Sequence, residues 1–471
     1  MTTKSAAPQA RTNENAIPTV ELVRRELAVA RFAFDSGRTR SLTWRTTQLE
    51  GLLRLIDENE GRINTAIEAD LGRGSMATFM ADIAPVRHEI RHTLKHLERW
   101  AAPTTVPLRA AQMPGKAWVT PEPKGVVLVI GAWNFPVLLT LHPLVSALAA
   151  GNAAIVKPSE LSPATAELLA ELLPRYVDPN AVRVLQGDAT LSSALVTERF
   201  DHVFFTGSTT VGRAILEASA KHLTPVTLEL GGKSPVIVAK DADIVVAARR
   251  IAWAKAVNGG QACIAPDYVL VEESVRAALV ERLLKELPRA AGLDSTRIVN
   301  DRHLDRLESL LDGHGGERFG GQINRQSRTI TPAVITDPDP SSQLMQEEIF
   351  GPILPIITVR DIEEAVAFVN GRPKPLALYL FTESRTTECA VTKATSSGSI
   401  GINHLMYQLL VPELPFGGIG ESGTGSYHGK NGFDTFSHHK SVLRKPSALD
   451  LSFAYPPYGK LTTRVFRRLM G

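Results

Sequence analysis

Residues 124 to 160 read KGVVLVIGAWNFPVLLTLHPLVSALAAGNAAIVKPSE, and this stretch decides the fold. Between Lys124 and Lys157 lie 32 residues without a formal charge, enough for a membrane span if they ran unbroken. Pro136, His142, Pro143, Gly151 and Asn152 break them up, so no apolar run reaches the length a span requires. GVVLVIG is short, β-branched and bounded by glycines, as suits a strand covered on both faces. After the turn residues Ala132 to Pro136, LLTLHPLVSALAAGN reads as a buried helix closed by Gly151, and AAIVKPSE as a second buried strand. Strand, helix and strand at this spacing form a βαβ unit with parallel strands.

Outward from this unit the alternation continues. VRVLQG, HVFFTG and PVTLELGG read as further strands up to about residue 240, with SPATAELLAELLPRYV between them as a helix. In that helix Ser162 stands at the N-cap and Pro163 at the first helical position. The pattern implies a doubly wound parallel sheet. A second alternating region, from about 235 to 404, contains VIVAK, YVLVEE, PAVIT and ILPIITV. The first hundred residues read as helices, and residues 103 to 124, rich in Pro, Thr and Gly, as an extended excursion.

Composition limits the function classes. The 471 residues suit two or three domains. With 52 basic and 49 acidic side chains, the net charge of +3 is too even for nucleic-acid binding by bulk electrostatics. Two cysteines, Cys263 and Cys389, exclude a disulfide framework and point to a reducing, cytoplasmic setting. The opening MTTKSAAPQARTNENA has no apolar core, so it reads as a polar end rather than a signal peptide. From Lys440 onward seven basic residues meet one acid, Asp450, and KLTTRVFRRLM gathers Leu461, Val465, Phe466 and Leu469 near one helical face. That segment reads as a helix packed on the protein's own surface, with weak peripheral contact to anionic lipid left open.

Some motifs look chemical. HEIRH at 88 to 92 has the two-histidine spacing of a zinc protease. Helical spacing, however, puts Ile83, Val86, Ile90, Leu94 and Leu97 on one stripe and His88, His92 and His96 opposite, facing solvent. No metal site is expected. Cys263 follows Gly259-Gly260 in NGGQACIAPDY, where the backbone can approach a substrate and expose a nucleophilic thiol. Cys389 reads as an ordinary buried cysteine. Glu229 ends an apolar strand in LELGGKSP, 34 residues before Cys263, and could act as a general base of raised pKa. FTGSTTVGRAI follows a strand and opens a helix, so Gly207, Ser208 and Gly212 could offer backbone amides to a pyrophosphate.

The ordered set WNFP (133–136), IVKPSE (155–160), FTGSTTVG (205–212), LELGGKSP (228–235), GGQACIAPDY (259–268), EEIFGP (347–352) and PFGGIGESG (415–423) resembles the aldehyde dehydrogenase superfamily. APDY after the cysteine and GSYHGK at 425–430 resemble its class 3 branch, which includes fatty, aromatic and coniferyl aldehyde dehydrogenases. The resemblance implies an α/β fold: a Rossmann-type parallel-sheet cofactor domain (1–105 and 126–228), an α/β catalytic domain (229–404), a small β oligomerisation arm (106–125 and 405–440) and a basic tail (441–471). It implies oxidation of medium- or long-chain aliphatic or aromatic aldehydes to acids through a thiohemiacetal and thioester on Cys263. Asn134 would form the oxyanion hole and Glu229 would activate water. Lys157 and Glu160 would hold the adenosine ribose, Gly207, Ser208 and Gly212 the pyrophosphate, Glu348 the nicotinamide ribose, and Phe350 would pack near the ring. The cofactor implied is NAD, with NADP also accepted, and the assembly implied is a homodimer. A CoA-acylating relative is the nearest rival, and Glu229, a water-activating base, argues against it.

Overall fold

The structure, a computed structural model, describes residues 19–109, 112–292, 296–450 and 455–470. The polar opening lies outside the described residues.

The stretch from 124 to 160 folds as strand Val126–Ile130, helix Leu138–Ala150 and strand Ala153–Lys157. Gly151 closes the helix in the left-handed conformation, at φ 90°. The two strands pair in parallel, Val126 opposite Ala153, and every residue of both is buried. They are the middle of a six-stranded sheet ordered Gly423–Thr424, Val226–Leu230, His202–Gly207, Val126–Ile130, Ala153–Lys157, Val182–Val184. The chain enters at Val126–Ile130, winds out to Val182–Val184, then returns to the other side of its starting strand at His202–Gly207. Connections therefore leave these two neighbours in opposite directions, which opens a crevice at the carboxyl ends of the strands.

Val226–Leu230 runs through Gly231 and Gly232 into Pro235–Val238, near the centre of a second sheet. That sheet has seven strands: Glu317–Gly320, Ala333–Thr336, Ile353–Val359, Tyr268–Glu272, Pro235–Val238, Ala377–Phe381 and Ser399–Ile402. All neighbours are parallel except the first pair. One apolar core unites helices and strands of both sheets, from Leu49 and Val127 to Val269 and Ile356.

The excursion at 103 to 124 becomes Thr104–Val106 and Lys116–Pro123, which join Ser437–Arg444 in a three-stranded antiparallel sheet. Gly423–Thr424 pairs onto Val226–Leu230, and helix Gly429–Thr435 lies on helix Leu138–Ala150, where Gly432 has no room for a Cβ against Ser146.

The first hundred residues, read as helices, include Leu42–Glu58 and Glu60–Leu71, parted at Asn59. Some local readings change. Ser162 stands at the N-cap of helix Pro163–Tyr176, but its side chain makes no capping bond; Asp70 accepts from the Ala164 and Thr165 amides, each at 2.9 Å. Of the three histidines on helix Ala84–Ala101, His92 and His96 are not turned out to solvent. Both lie against the buried Trp100, at ring separations of 5.6 Å, because packing covers more of the helix than its aliphatic stripe. Helix Lys460–Met470 does not bury its apolar face: Leu461 is 74% exposed and Val465 39%, while the side chain of Leu469 lies outside the described residues. Among the described residues no helix is long and apolar enough to cross a membrane, and no group of three or more His, Cys, Asp or Glu could hold a metal ion.

Candidate active site

Three segments at the carboxyl ends of these strands and beside them approach one another: the charge of Glu229 acts on Cys263, and the Asn134 amide bonds the carbonyl of Gln261, two residues before that cysteine. Asn134 comes from the loop after Val126–Ile130, Glu229 from near the end of Val226–Leu230, and Cys263 from the loop before Tyr268–Glu272. The last loop is bent by three consecutive residues in the left-handed region, Asn258 (φ 55°), Gly259 (61°) and Gly260 (75°). A Cβ at Gly260 would collide with the carbonyl of Gly351, so this glycine lets the cysteine loop lie against the EEIFGP loop.

Cys263 retains partial exposure. Burial, and then the charges of Glu348 and Glu229, push its thiol up to about 12; the backbone N–H groups of Cys263 and Ile264 act in the opposite sense. Glu229 is 3% exposed, and neither carboxylate oxygen has a hydrogen-bond partner among the described residues. Burial holds its carboxyl well above the usual range. Asn134 is 3% exposed, and its side-chain amide donates one hydrogen bond to the Gln261 carbonyl at 3.1 Å. Cys389, by contrast, is exposed on helix Arg385–Ala394, against the buried reading, because it falls on the outer side of that helix.

The residues matched to cofactor binding line the same crevice. Lys157 ends its strand 1% exposed, with its ammonium on the carboxylate of Glu160. Gly207 and Ser208 form the turn after His202–Gly207, and Ser208 Oγ caps helix Thr209–Ala220 by accepting from the Val211 amide at 3.4 Å. Gly212 does something else than expected. Its amide donates to the Ser208 carbonyl at 2.9 Å, inside the helix, so it is already used. What Gly212 provides is close packing of that helix on Leu230, where a Cβ would clash. Glu348 has a buried, unpartnered Oε1, and burial first, then Asp267, raises its pKa to about 8. It faces Gly231, where a Cβ would strike its carboxylate. Phe350 holds a left-handed backbone, φ 48°, and its ring meets Trp133 edge-on at 5.5 Å.

An open cleft of about 190 Å³ runs along Thr209, Gly231, Gly232, Lys233, Glu348 and Ser422. An orphaned carboxylate oxygen in a glycine-lined cradle fits a ribose hydroxyl donor, so these residues fit a dinucleotide. The sequence reading missed the supports of this site. Lys233 bonds Asp267 and the carbonyls of Leu344 and Glu347 (2.9 and 2.7 Å), and Asp267 accepts from the Ile349 amide at 2.9 Å, which fixes the loop bearing Glu348. Arg73, Asp82, Asn258 and Gln261 do the same for Asn134 and Cys263. Only Asn258, preceding two glycines at a sharp bend, leaves a trace in the sequence.

A doubly wound sheet with a glycine-lined cleft and with a thiol, a buried carboxylate and an amide at its crevice fits a dinucleotide-linked oxidoreductase. The aldehyde dehydrogenase family model matches residues 5–442. The chain is 48% identical over 422 residues to the dimeric NADP-preferring aldehyde dehydrogenase of Rattus norvegicus, covering 88% of this chain and 93% of that one. It is 47% identical over 427 residues to aldehyde dehydrogenase family 3 member A2 of Mus musculus, covering 89% and 88%. The substrate-bound AldH of Staphylococcus aureus superposes with a TM-score of 0.92 at 39% identity, over 95% of this chain and 99% of that one. The chain belongs to the aldehyde dehydrogenase family, and it is an NAD(P)-dependent enzyme of aldehyde oxidation.

Proposed function

We propose that Cys263 is the nucleophile, Asn134 the oxyanion donor and Glu229 the base in the oxidation of apolar aldehydes to carboxylic acids. The observation that supports this reading most is the convergence of a thiol, an unpartnered buried carboxylate and an amide from three separate segments. Burial holds the Glu229 carboxyl well above its usual range, which suits a base that takes a proton from water in the hydrolysis of the thioester. The second N–H of the Asn134 amide and the Cys263 backbone N–H stabilise the oxyanion of the thiohemiacetal. Bound NAD(P) supplies the hydride acceptor. Glu229 then takes a proton from water, which releases the acid from the thioester.

Lys157 and Glu160 hold the adenosine ribose, the turn at Gly207 and Ser208 the pyrophosphate, and Glu348 the nicotinamide ribose, with Phe350 packed near the ring. The domains proposed are cofactor binding for 1–105 and 126–228, catalysis for 229–404, dimerisation through an arm of 106–125 and 405–440, and a basic tail at 441–471; strand Ser437–Arg444, an edge of the three-stranded sheet, is mostly exposed. A cytoplasmic homodimer, with at most weak lipid contact through helix Lys460–Met470, completes the reading. Formation of reduced cofactor with a medium-chain aldehyde, without and then with CoA, tests it. Turnover that requires CoA would replace hydrolysis by acyl transfer, and absence of aldehyde-dependent reduction would overturn the reading.

A further inference from the structure

Arg73 is among the largest fully buried side chains of the molecule, 1% exposed, and stands just after the left-handed Gly72 that ends helix Glu60–Leu71. One of its terminal nitrogens, Nη1, donates both to the backbone carbonyl of Asn134 and to Oδ1 of Asn258, each at 3.1 Å. The other, Nη2, bonds the carboxylate of Asp82, which is fully buried. Asn258 Nδ2 donates to the Asn134 carbonyl at 3.0 Å and to the Gln261 carbonyl at 3.1 Å, and the Asn134 amide donates to that same Gln261 carbonyl. The hydrogen bonds thus close a ring that runs from the guanidinium through the WNFP loop to the cysteine loop and back. Asp82 extends it, accepting from the amides of Val137 and Leu138 at 2.9 and 2.8 Å, directly after that loop. The Phe135 ring lies 5.2 Å from the guanidinium carbon and closes the network from the side.

We propose that Arg73 is a positioning residue which sets the separation between the Asn134 amide and Cys263. The proposal rests on the roles given to those two residues above. The geometry needs a planar fork: one nitrogen serves two acceptors on two loops while the other is held by Asp82. A lysine ammonium at this depth keeps the charge opposite Asp82 but has neither the reach nor the plane to hold both loops. Both loops then relax, and a misplacement of about 1 Å in a reacting geometry costs roughly a hundredfold in rate. Lys157, Glu160 and the turn at Gly207, which would hold the adenosine half of the cofactor, make none of the hydrogen bonds of this ring.

The test is Arg73→Lys in the full-length enzyme, saturated with NAD and mixed rapidly with a medium-chain aldehyde. The expected result is a fall of roughly a hundredfold in the burst rate of reduced cofactor and in kcat, with the KM for aldehyde and the Kd for NAD changed less than about threefold. Asn258→Ala opens the ring from the opposite side and must show the same split, which keeps the proposal testable should Arg73→Lys not fold. A wild-type burst in either folded variant overturns it, as does a loss of NAD binding in step with the rate, the mark of a merely structural role. Failure of the underlying reading looks different: Cys263→Ser in the otherwise wild-type enzyme would then still turn over.

Discussion

The Glu229 carboxylate and the Cys263 thiol, set 34 residues apart in the chain, share one field: the charge on the first raises the pKa of the second. Burial is the larger cause and Glu348 adds to it, so the thiol stands at about 12. In the cofactor-free enzyme almost none of Cys263 is thiolate at neutral pH, and alkylation needs thiolate. Carbamidomethylation of Cys263 by iodoacetamide should therefore keep rising with pH beyond about 9. The measurement needs a Cys389→Ser background, since Cys389 is exposed and would react first. A rate that levels off near pH 7 to 8 would contradict the shifted thiol.

Removing that charge separates two roles of Glu229. Glu229→Gln should increase the reactivity of Cys263 toward iodoacetamide, because one of the two carboxylates that raise its pKa is gone. The same variant should lose deacylation: a burst of reduced cofactor near one equivalent per site, followed by turnover slower by about two orders of magnitude or more. Absence of both burst and rate defect would assign water activation to another group.

Much of this site is legible in the sequence. Cys263 and Glu229 can be found there because one follows paired glycines and the other ends an apolar strand, local features that need no knowledge of distant contacts, whereas Asn134 is picked out only by the resemblance that its WNFP motif carries. The two sheets are legible for the same reason, as uncharged strands alternating with amphipathic helices. What stays hidden depends on contacts between distant segments. Arg73 and Asp82 are two charged residues in an ordinary helical region, and only the fold turns them inward to Asn134. Gly212 reads as an amide donor as long as its place in the loop is counted without the helix that consumes its N–H. The Ser162 cap fails similarly, since a carboxylate 92 residues earlier, Asp70, reaches the same amides.

Cofactor choice depends on the pair Lys157 and Glu160. Glu160 would face the 2′-phosphate of NADP, and two unit charges about 4 Å apart repel by roughly 4 kcal/mol at an effective dielectric near 20. The bond from the Lys157 ammonium offsets much of this, and the Glu160 side chain is 40% exposed and can turn into solvent. Glu160→Gln should therefore raise the ratio of kcat/KM for NADP over NAD by about tenfold, leaving the aldehyde KM unaltered. An unmoved ratio would remove this carboxylate from cofactor selection.

Behind the site, a buried carboxyl group makes stability depend on pH. Glu89, 2% exposed on helix Ala84–Ala101, is raised from the ordinary 4.5 to about 7, chiefly by burial, with Glu413 adding and the Gly429 amide and Thr93 opposing. His142 lies 3.7 Å away, but burial holds that imidazole well below its usual pKa, so it provides no charge to offset a carboxylate. Between pH 4.5 and about 7 the folded protein retains a proton that the unfolded chain has released, so this group's contribution to stability falls as pH rises, and the loss is complete above 7. A shift of that size is worth at most about 3 kcal/mol. Gln at position 89 can still accept from the Gly429 amide, as the carboxylate does at 2.8 Å, yet it has no proton to lose. The melting temperature of Glu89→Gln minus that of wild type should therefore increase from about pH 5 to about pH 8. A difference that stays flat, or declines, would mean that Glu89 ionises in the folded protein as readily as in water.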